Sequence, residues 1–237
     1  MIQFYAPDIE TNPVLPESDS GHCVRVLRMK QGDVVEVIDG RGNRFRCKLT
    51  NPHPKHAGVE IMERESVELP WNCNISVAVA PTKNMDRMEW LVEKLTEIGI
   101  NRFIPMLCRH SERREIKRER LEKIAISAMK QSLKAVLPEI MPMTPISDII
   151  SDARMAGVQR FIAYCDRNVE RKVFAREYIP GSDVLILIGP EGDFTADEVE
   201  SAISTGFIPV TLGDNRLRTE TAALVAVDTC HIVNQLN

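Results

Sequence analysis

Apolar and polar positions along the 237 residues follow two textures that change near residue 70. Before it, short runs alternate with period two. VVEVIDGRGNRFRCKLT reads as two strands joined at Asp39-Gly40-Arg41-Gly42-Asn43, a strong hairpin signal, and AGVEIMERE reads as another strand. SDSGHCVRVLRM opens with capping residues and spaces Cys23, Val24 and Leu27 as a short helix would. These elements predict a small β-barrel-like domain with one helix.

After ESVELPWN, strands and helices alternate, which predicts an α/β domain with a parallel sheet and helices on both faces. NISVAVAP leads to the helix DRMEWLVEKLTEIG, with Met88, Leu91, Val92, Leu95 and Ile98 on one face and Gly99 at its end. RFIPMLC leads through a basic loop to the helix RERLEKIAISAMKQSL. VQRFIAYC, DVLILIG and GFIPVTLG complete the sheet before a last helix, TETAALVAVDTCHIVNQL. The chain therefore divides into domains over 1–70 and 73–237.

DVLILIG is apolar without alternation, as expected of a central strand covered on both faces. Thr195 and Glu198 make a capping box, and Phe194 and Val199 a hydrophobic staple, so a helix begins at Thr195. Residues 189–194 are then a tight loop at the carboxyl end of a parallel strand, where open α/β sheets bind ligands. A G-x-x-G by itself is equally explained by a sharp turn. TLGDNRLRTETAAL forms a second such loop, expected to follow a neighbouring strand and to share a pocket with the first. It brings Arg216, Arg218, Asp214, Glu220, Thr219 and Thr221, although Thr219 or Thr221 also suits a plain helix cap. G-P-E-G lacks the third glycine of a dinucleotide loop and the Gly-Lys-Ser/Thr of a P-loop. Pro190 removes an amide and Glu191 would repel pyrophosphate, so a neutral or cationic ligand fits better.

Composition changes this picture in three ways. The six cysteines form no C-x-x-C and the histidines no H-E-x-x-H, so neither a disulfide framework nor a metal is expected. The longest apolar runs are far too short to span a bilayer, and no basic region precedes one at Met1, so a soluble cytoplasmic protein is expected. The formal net charge of -4 hides strong unevenness. Residues 102–134 carry ten Lys or Arg against four Glu, and 21–48 carry seven against three acids, whereas 183–200 carry six acids and no Lys or Arg. Basic stretches of this kind suit phosphates, or else a solvated helix face laced with ion pairs.

LILIGPEGDFTADEVE and LGDNRLRTETAAL, with HCVRVLRMKQGD and KLTEIGI, resemble the ribosomal RNA small subunit methyltransferase E family of the knotted SPOUT enzymes. The resemblance runs in order through nearly the whole chain. It implies an N-terminal PUA-like RNA-binding barrel, a C-terminal domain with a deep trefoil knot, a homodimer formed through that domain, and methylation of N3 of the 16S rRNA uridine conventionally numbered 1498. It further implies S-adenosylmethionine as cofactor, held by Leu187, Gly189, Pro190, Glu191 and Gly192 in the first loop and by Leu212, Gly213, Leu217, Arg218 and Ala222 in the second. The sulfonium of that cofactor accords with a loop that is acidic and has no phosphate-binding features. Arg218 is the candidate for stabilising charge on a uracil oxygen or orienting a phosphate, and Glu220 for positioning Arg218 or assisting deprotonation. His22, Arg25 and Arg28, and Arg109, Arg113 and Arg114, are the candidate RNA contacts, Arg25 and Arg28 sharing a helix face.

Three positions depart from the family pattern: Asp193 stands where a glycine is usual, Arg216 where an apolar residue is usual, and Lys130 where an acid is usual. Two other functions remain open: a related enzyme acting on another base or a ribose hydroxyl, and a non-catalytic RNA-binding assembly factor. The small-residue stripe Ala222, Ala223, Ala226 and Cys230 suits close packing against the knot or against a second subunit.

Overall fold

In the computed structural model, which describes residues 2–152, 157–165 and 170–236, the chain forms two compact units. One comprises residues 1–70 and 126–137, the other 71–125 and 138–237.

The first unit begins with β1 (Gln3–Tyr5), a short helix α1 (Glu17–Gly21) and a single π-type turn (His22–Val26). It continues with β2 (Val34–Ile38), β3 (Asn43–Asn51) and β4 (Gly58–Ser66) in a sheet of order β1-β2-β3-β4. β2 and β3 form the hairpin that the sequence predicts, and β1 lies parallel to β2. Alternation along β3 buries Phe45, Cys47 and Leu49 against Phe4, Ile9, Leu15 and Val37, and leaves Arg46 and Lys48 exposed. Cys23 is fully buried in the same core, with Val24 and Leu27 packed against it.

The predicted short helix is only partly α-helical. Leu27 N–H donates to His22 O at 3.0 Å, five residues back, and Arg28 then adopts φ 56°. Arg28 thus lies beyond the helical turn, and Arg25 and Arg28 share no helix face; the left-handed residue turns the chain away. Residues 126–137, which the pattern assigns to the second domain, belong to the first unit because Met129 and Ala135 are buried with Ile38. Lys130 has a use here: its Nζ lies 2.6 Å from Asp19 Oδ1, while Asp19 Oδ2 accepts from Tyr5 N–H at 2.7 Å.

The second unit alternates β5 (Ile75–Val79), α2 (Met85–Ile98), β6 (Arg102–Leu107), α3 (Arg118–Gln131, whose last residues enter the first unit), β7 (Glu139–Ile140), β8 (Thr144–Pro145) and α4 (Ile146–Ile150). It ends with β9 (Gln159–Ala163), β10 (Lys172–Val173), α5 (Phe174–Glu177), β11 (Val184–Ile188), α6 (Ala196–Ser204), β12 (Ile208–Thr211) and α7 (Thr219–Leu236). The sheet order is β10-β12-β9-β11-β5-β6-β7, with β8 beside β6, and every pairing is parallel.

All five residues of β11 are buried. Leu185 and Leu187 join the core beneath α4 and α6, with Ile149, Val199 and Ala202, while α7 packs on β5 and β11. Because side chains alternate across a strand, two buried faces require the uninterrupted apolar run seen in VLILI. Each such side chain contributes roughly 1.5–3 kcal/mol on burial. Ala223, Ala226 and Cys230 of the small-residue stripe are fully buried within this unit. Their lack of bulk lets α7 lie close to the sheet.

A further expectation is corrected. The strands that end in the two loops are not neighbours, because β9 lies between β11 and β12 and pairs with both. Parallel strands are joined by crossovers that can skip a position, so sequence order does not set sheet order.

Candidate active site

β11 stops at Ile188 and the first loop starts at once. Gly189 is buried against the Phe194 ring, and a Cβ added there would meet Phe194 Cε2 at 2.9 Å. The loop closes with a bond from Asp193 N–H to Pro190 O at 2.9 Å. Asp193 has φ 60°, a conformation natural to glycine, which Asp tolerates through local hydrogen bonds. Its Oδ1 accepts from Phe194 N–H at 2.9 Å and its Oδ2 from Cys165 N–H, beyond β9, at 3.2 Å. The departure at Asp193 therefore keeps the glycine geometry and ties the loop to a second strand end.

The predicted capping box is present. Thr195 Oγ1 accepts from Glu198 N–H, and Glu198 Oε2 accepts from Thr195 N–H at 2.9 Å. Glu198 Oε1 also accepts from Arg109 N–H at 2.8 Å, which fixes the loop after β6 beside the first loop. From that loop His110 reaches in, its Nδ1 lying 3.2 Å from Gly192 O and 3.1 Å from Asp193 O. Two carbonyl partners require that Nδ1 carry the proton.

The second loop is more open. Thr211 Oγ1 makes a local turn with Gly213, which adopts φ 127°, and residues 213–216 are exposed. Its firm anchor is Thr219, buried at the start of α7, whose hydroxyl donates to Gly189 O at 3.2 Å. The two loops are thus joined directly although their strands are not.

Together with the end of β9, they enclose a cavity of about 1060 Å³. Gly189, Pro190, Glu191 and Gly192 line it from the first loop; Leu212, Gly213, Leu217, Arg218 and Ala222 from the second. Leu187 lies in the core beneath, and Ile188 reaches the cavity instead. Tyr164, Cys165 and Arg171 form a third wall that the loop motifs did not indicate. Arg171 Nη1 donates to Tyr164 O at 2.7 Å. Burial raises the Cys165 thiol above its ordinary pKa of 9.0, and Asp193 adds to this, against the opposing cations Arg171 and Arg216.

Glu220 is only 7% exposed. Its Oε1 faces Arg87 Nε of α2 at 3.7 Å, and Arg87 Nη1 lies 3.6 Å from Glu191 Oε1. Among the described residues Oε2 of Glu220 has no hydrogen-bond partner. Arg87 falls outside both loop motifs, and only the packing of α2 against α7 brings it here.

The candidate RNA contacts lie in both units. In the first, Arg44 and Arg46 of β3 are matched by Glu65 and Glu63 of β4 at 3.6 and 4.0 Å, and Lys48 stands opposite Glu60. His22, Arg25 and Arg28 are exposed, and the two arginines have no ion pair among the described residues. In the second unit, Arg109 and Arg114 are exposed, while Arg113 donates to Lys83 O at 2.7 Å. Arg118 and Arg120 are occupied by Glu122 and Glu89, as on a solvated helix face. Among the described residues there is no cluster of three metal-ligating side chains and no helix long and apolar enough to cross a membrane.

Comparison with known proteins agrees with this architecture. Residues 15–62 match an RNA methyltransferase PUA domain and residues 69–231 an RNA methyltransferase domain. Ribosomal RNA small subunit methyltransferase E of Bacillus subtilis is 31% identical over 87% of this chain and 84% of its own. The crystal structure of a probable rRNA-methyltransferase from Porphyromonas gingivalis is 49% identical, with a TM-score of 0.95 over 100% of this chain and 99% of that one. A ribosomal RNA small subunit methyltransferase E from Neisseria gonorrhoeae bound to S-adenosyl methionine is 25% identical, with a TM-score of 0.86 over 98% of both chains. With its paired PUA and RNA methyltransferase domains in that order, the chain belongs to the ribosomal RNA small subunit methyltransferase E family.

Proposed function

We propose that this protein methylates N3 of a uridine in 16S rRNA of the small ribosomal subunit, at the position conventionally numbered 1498, with S-adenosylmethionine as donor, and that it acts as a cytoplasmic homodimer through its knotted C-terminal unit. The observation that carries the reading is the cavity shared by the two loops. It is large enough for a nucleoside-sized cofactor with room beside it. Glycine backbone at 189 and 192 permits close approach, and the carboxylates Glu191, Asp193 and Asp214 stand on its wall beside the cations Arg171, Arg216 and Arg218. No P-loop or dinucleotide motif competes for phosphate. The Neisseria relative with bound S-adenosyl methionine supports the same assignment.

The bound cofactor supplies an electrophilic methyl group on a positively charged sulfur. The chain does the rest. In the first loop, Gly189, Pro190, Glu191 and Gly192 hold it; in the second, Leu212, Gly213, Leu217, Arg218 and Ala222, with Leu187 supporting from below. For N3 to act as nucleophile its proton must leave, and the charge that develops on the uracil oxygens must be held. Glu220, a buried carboxylate whose Oε2 has no hydrogen-bond partner among the described residues, assists that deprotonation, and its ion pair is with Arg87, which leaves Arg218 available. Arg218, exposed on the cavity wall, stabilises the uracil oxygen. His22, Arg25 and Arg28, with Arg109, Arg113 and Arg114, contact RNA phosphates, so binding should weaken steeply with salt.

The test is to incubate the purified protein with small ribosomal subunits and the cofactor, digest the rRNA to nucleosides and identify the product by mass spectrometry. 3-Methyluridine is expected, and its loss in Arg218→Ala with cofactor still bound. A different methylated nucleoside would assign the protein to another base or a ribose hydroxyl. No product together with no calorimetric binding of the cofactor would make it an assembly factor.

A further inference from the structure

Arg171 and Arg216 line the cavity from different segments and converge on one corner of it. The sheet order explains how: β12 lies between β9 and β10, and Val210 of β12 is in register with both Ala163 and Lys172. The end of β9, the residue that precedes β10 and the loop that follows β12 are thereby brought together. Both guanidiniums favour the charged form of the Cys165 thiol, so both lie within electrostatic reach of that sulfur, which also lines the cavity. Arg171 is half-buried and its head is fixed by the bond from Nη1 to Tyr164 O at 2.7 Å. Arg216 is exposed, and among the described residues neither arginine has an ion pair. Of the carboxylates on the same cavity, Asp193 accepts two backbone N–H groups and Glu191 faces Arg87, so both are engaged elsewhere. Two guanidiniums in one corner repel, and an anion between them turns that repulsion into attraction. Arg216 also stands where the family pattern has an apolar residue, so the pair is a feature of this chain.

We propose that Arg171 and Arg216 form an anion subsite on the cavity wall that holds a backbone phosphate of the RNA beside the target nucleotide. The inference rests on the functional reading above and adds the contact that seats the RNA strand at the cavity. A base that enters the cavity carries its phosphates with it, and these stay near the solvent-exposed rim, where residues 213–216 lie. Guanidinium forks match phosphate oxygens in pairs, which suits two arginines that close on one anion. Arg171 supplies the fixed half of the subsite and Arg216 the half that closes over the strand. The contact carries no base information; it sets register, as phosphate contacts do.

The test compares wild type, Arg216→Leu, Arg171→Met and Arg171→Lys, with thermal unfolding as a check on folding. Methyl transfer to small ribosomal subunits is followed at saturating cofactor over a series of salt concentrations. Calorimetry gives Kd for S-adenosylmethionine and for S-methyl-5′-thioadenosine, which lacks the amino-acid carboxylate. R216L and R171M should each lower kcat/KM for small subunits by about 5- to 20-fold, chiefly through KM, as expected for the loss of a charged contact. The fall of log kcat/KM with log salt should become shallower by about 0.7–0.9 for each arginine removed. R171K should keep the wild-type salt slope, and both Kd values should stay within about threefold in every variant. The inference is overturned if neither single variant changes kcat/KM, or if kcat/KM falls while the salt slope stays as in wild type, as a merely structural role would give. It is equally overturned if the loss lies in Kd for S-adenosylmethionine with that for S-methyl-5′-thioadenosine unchanged, which would give the two arginines to the carboxylate of the cofactor. If R171M unfolds early, the exposed R216L decides by the same criteria. Wild-type protein that binds cofactor yet transfers no methyl group to small subunits would overturn the functional reading itself, a result obtained before any arginine is changed.

Discussion

The two loops that enclose the cavity come from similar strand-to-helix breaks, yet they are held in opposite ways. The first is over-determined: Phe194 is buried over Gly189, Asp193 clamps Cys165, Thr195 and Glu198 cap α6, and His110 meets two of its carbonyls. The second is exposed from Gly213 to Arg216, and a Cβ at Gly213 would meet nothing within 4 Å. The difference separates a preorganised cradle from a cover that a ligand must order, and ordering a loop reduces the affinity that its contacts would otherwise yield.

The sharpest way to break the comparison is a matched pair of glycine substitutions. Gly189→Ala forces a Cβ into a buried ring with no room to retreat, so cofactor affinity by calorimetry should fall about 100-fold, with about 1–3 kcal/mol lost in denaturant unfolding. Gly213→Ala meets no clash and bears only the strain of φ 127°, so its affinity loss should stay below about tenfold. Equal losses would mean that the loops are equally rigid. Thr219→Val tests the link between them. It removes the hydroxyl that donates to Gly189 O, and about 1 kcal/mol, or roughly fivefold in cofactor Kd, is expected to go. An unchanged Kd would show that the second loop is held without it.

The smallest effect concerns Asp193. Asp193→Gly gives up the Cys165 clamp but relieves the left-handed strain, so stability should change by less than about 1 kcal/mol. It should still leave a chemical signature. Asp193 raises the Cys165 thiol pKa, so its removal shifts that pKa down toward 9.0, increases the thiolate fraction near pH 8 and speeds alkylation. The other five cysteines are buried and should stay unreactive, and bound cofactor should slow labelling of Cys165. Labelling that does not respond to Asp193→Gly would remove the clamp from the account.

Much of this was legible in the chain because its causes are local. The β2–β3 hairpin followed from Asp39-Gly40, the start of α6 from the Thr195–Glu198 box, and the central position of β11 from an apolar run without alternation. The cavity-lining glycines and Arg218 were visible for the same reason, as loop residues between a strand and a helix. Arg87 and His110 were not, since neither lies in a motif. α2 delivers one and the loop after β6 the other, from roughly eighty to more than a hundred residues away along the chain, with no periodic signal. The π-type turn and the left-handed Arg28, which separate Arg25 from Arg28, depend on how Cys23 and Leu27 reach the core.

By itself the sequence determined the alternation of elements, the two loops and the uneven charge, because helix caps, turn residues and hydrophobic period act over a few neighbours. Only the tertiary structure decided that β9 separates the strands bearing the two loops, that residues 126–137 belong to the first unit, and that Arg87 bridges Glu191 and Glu220. Those are contacts between distant segments, and their outcome depends on which arrangement buries the apolar faces together.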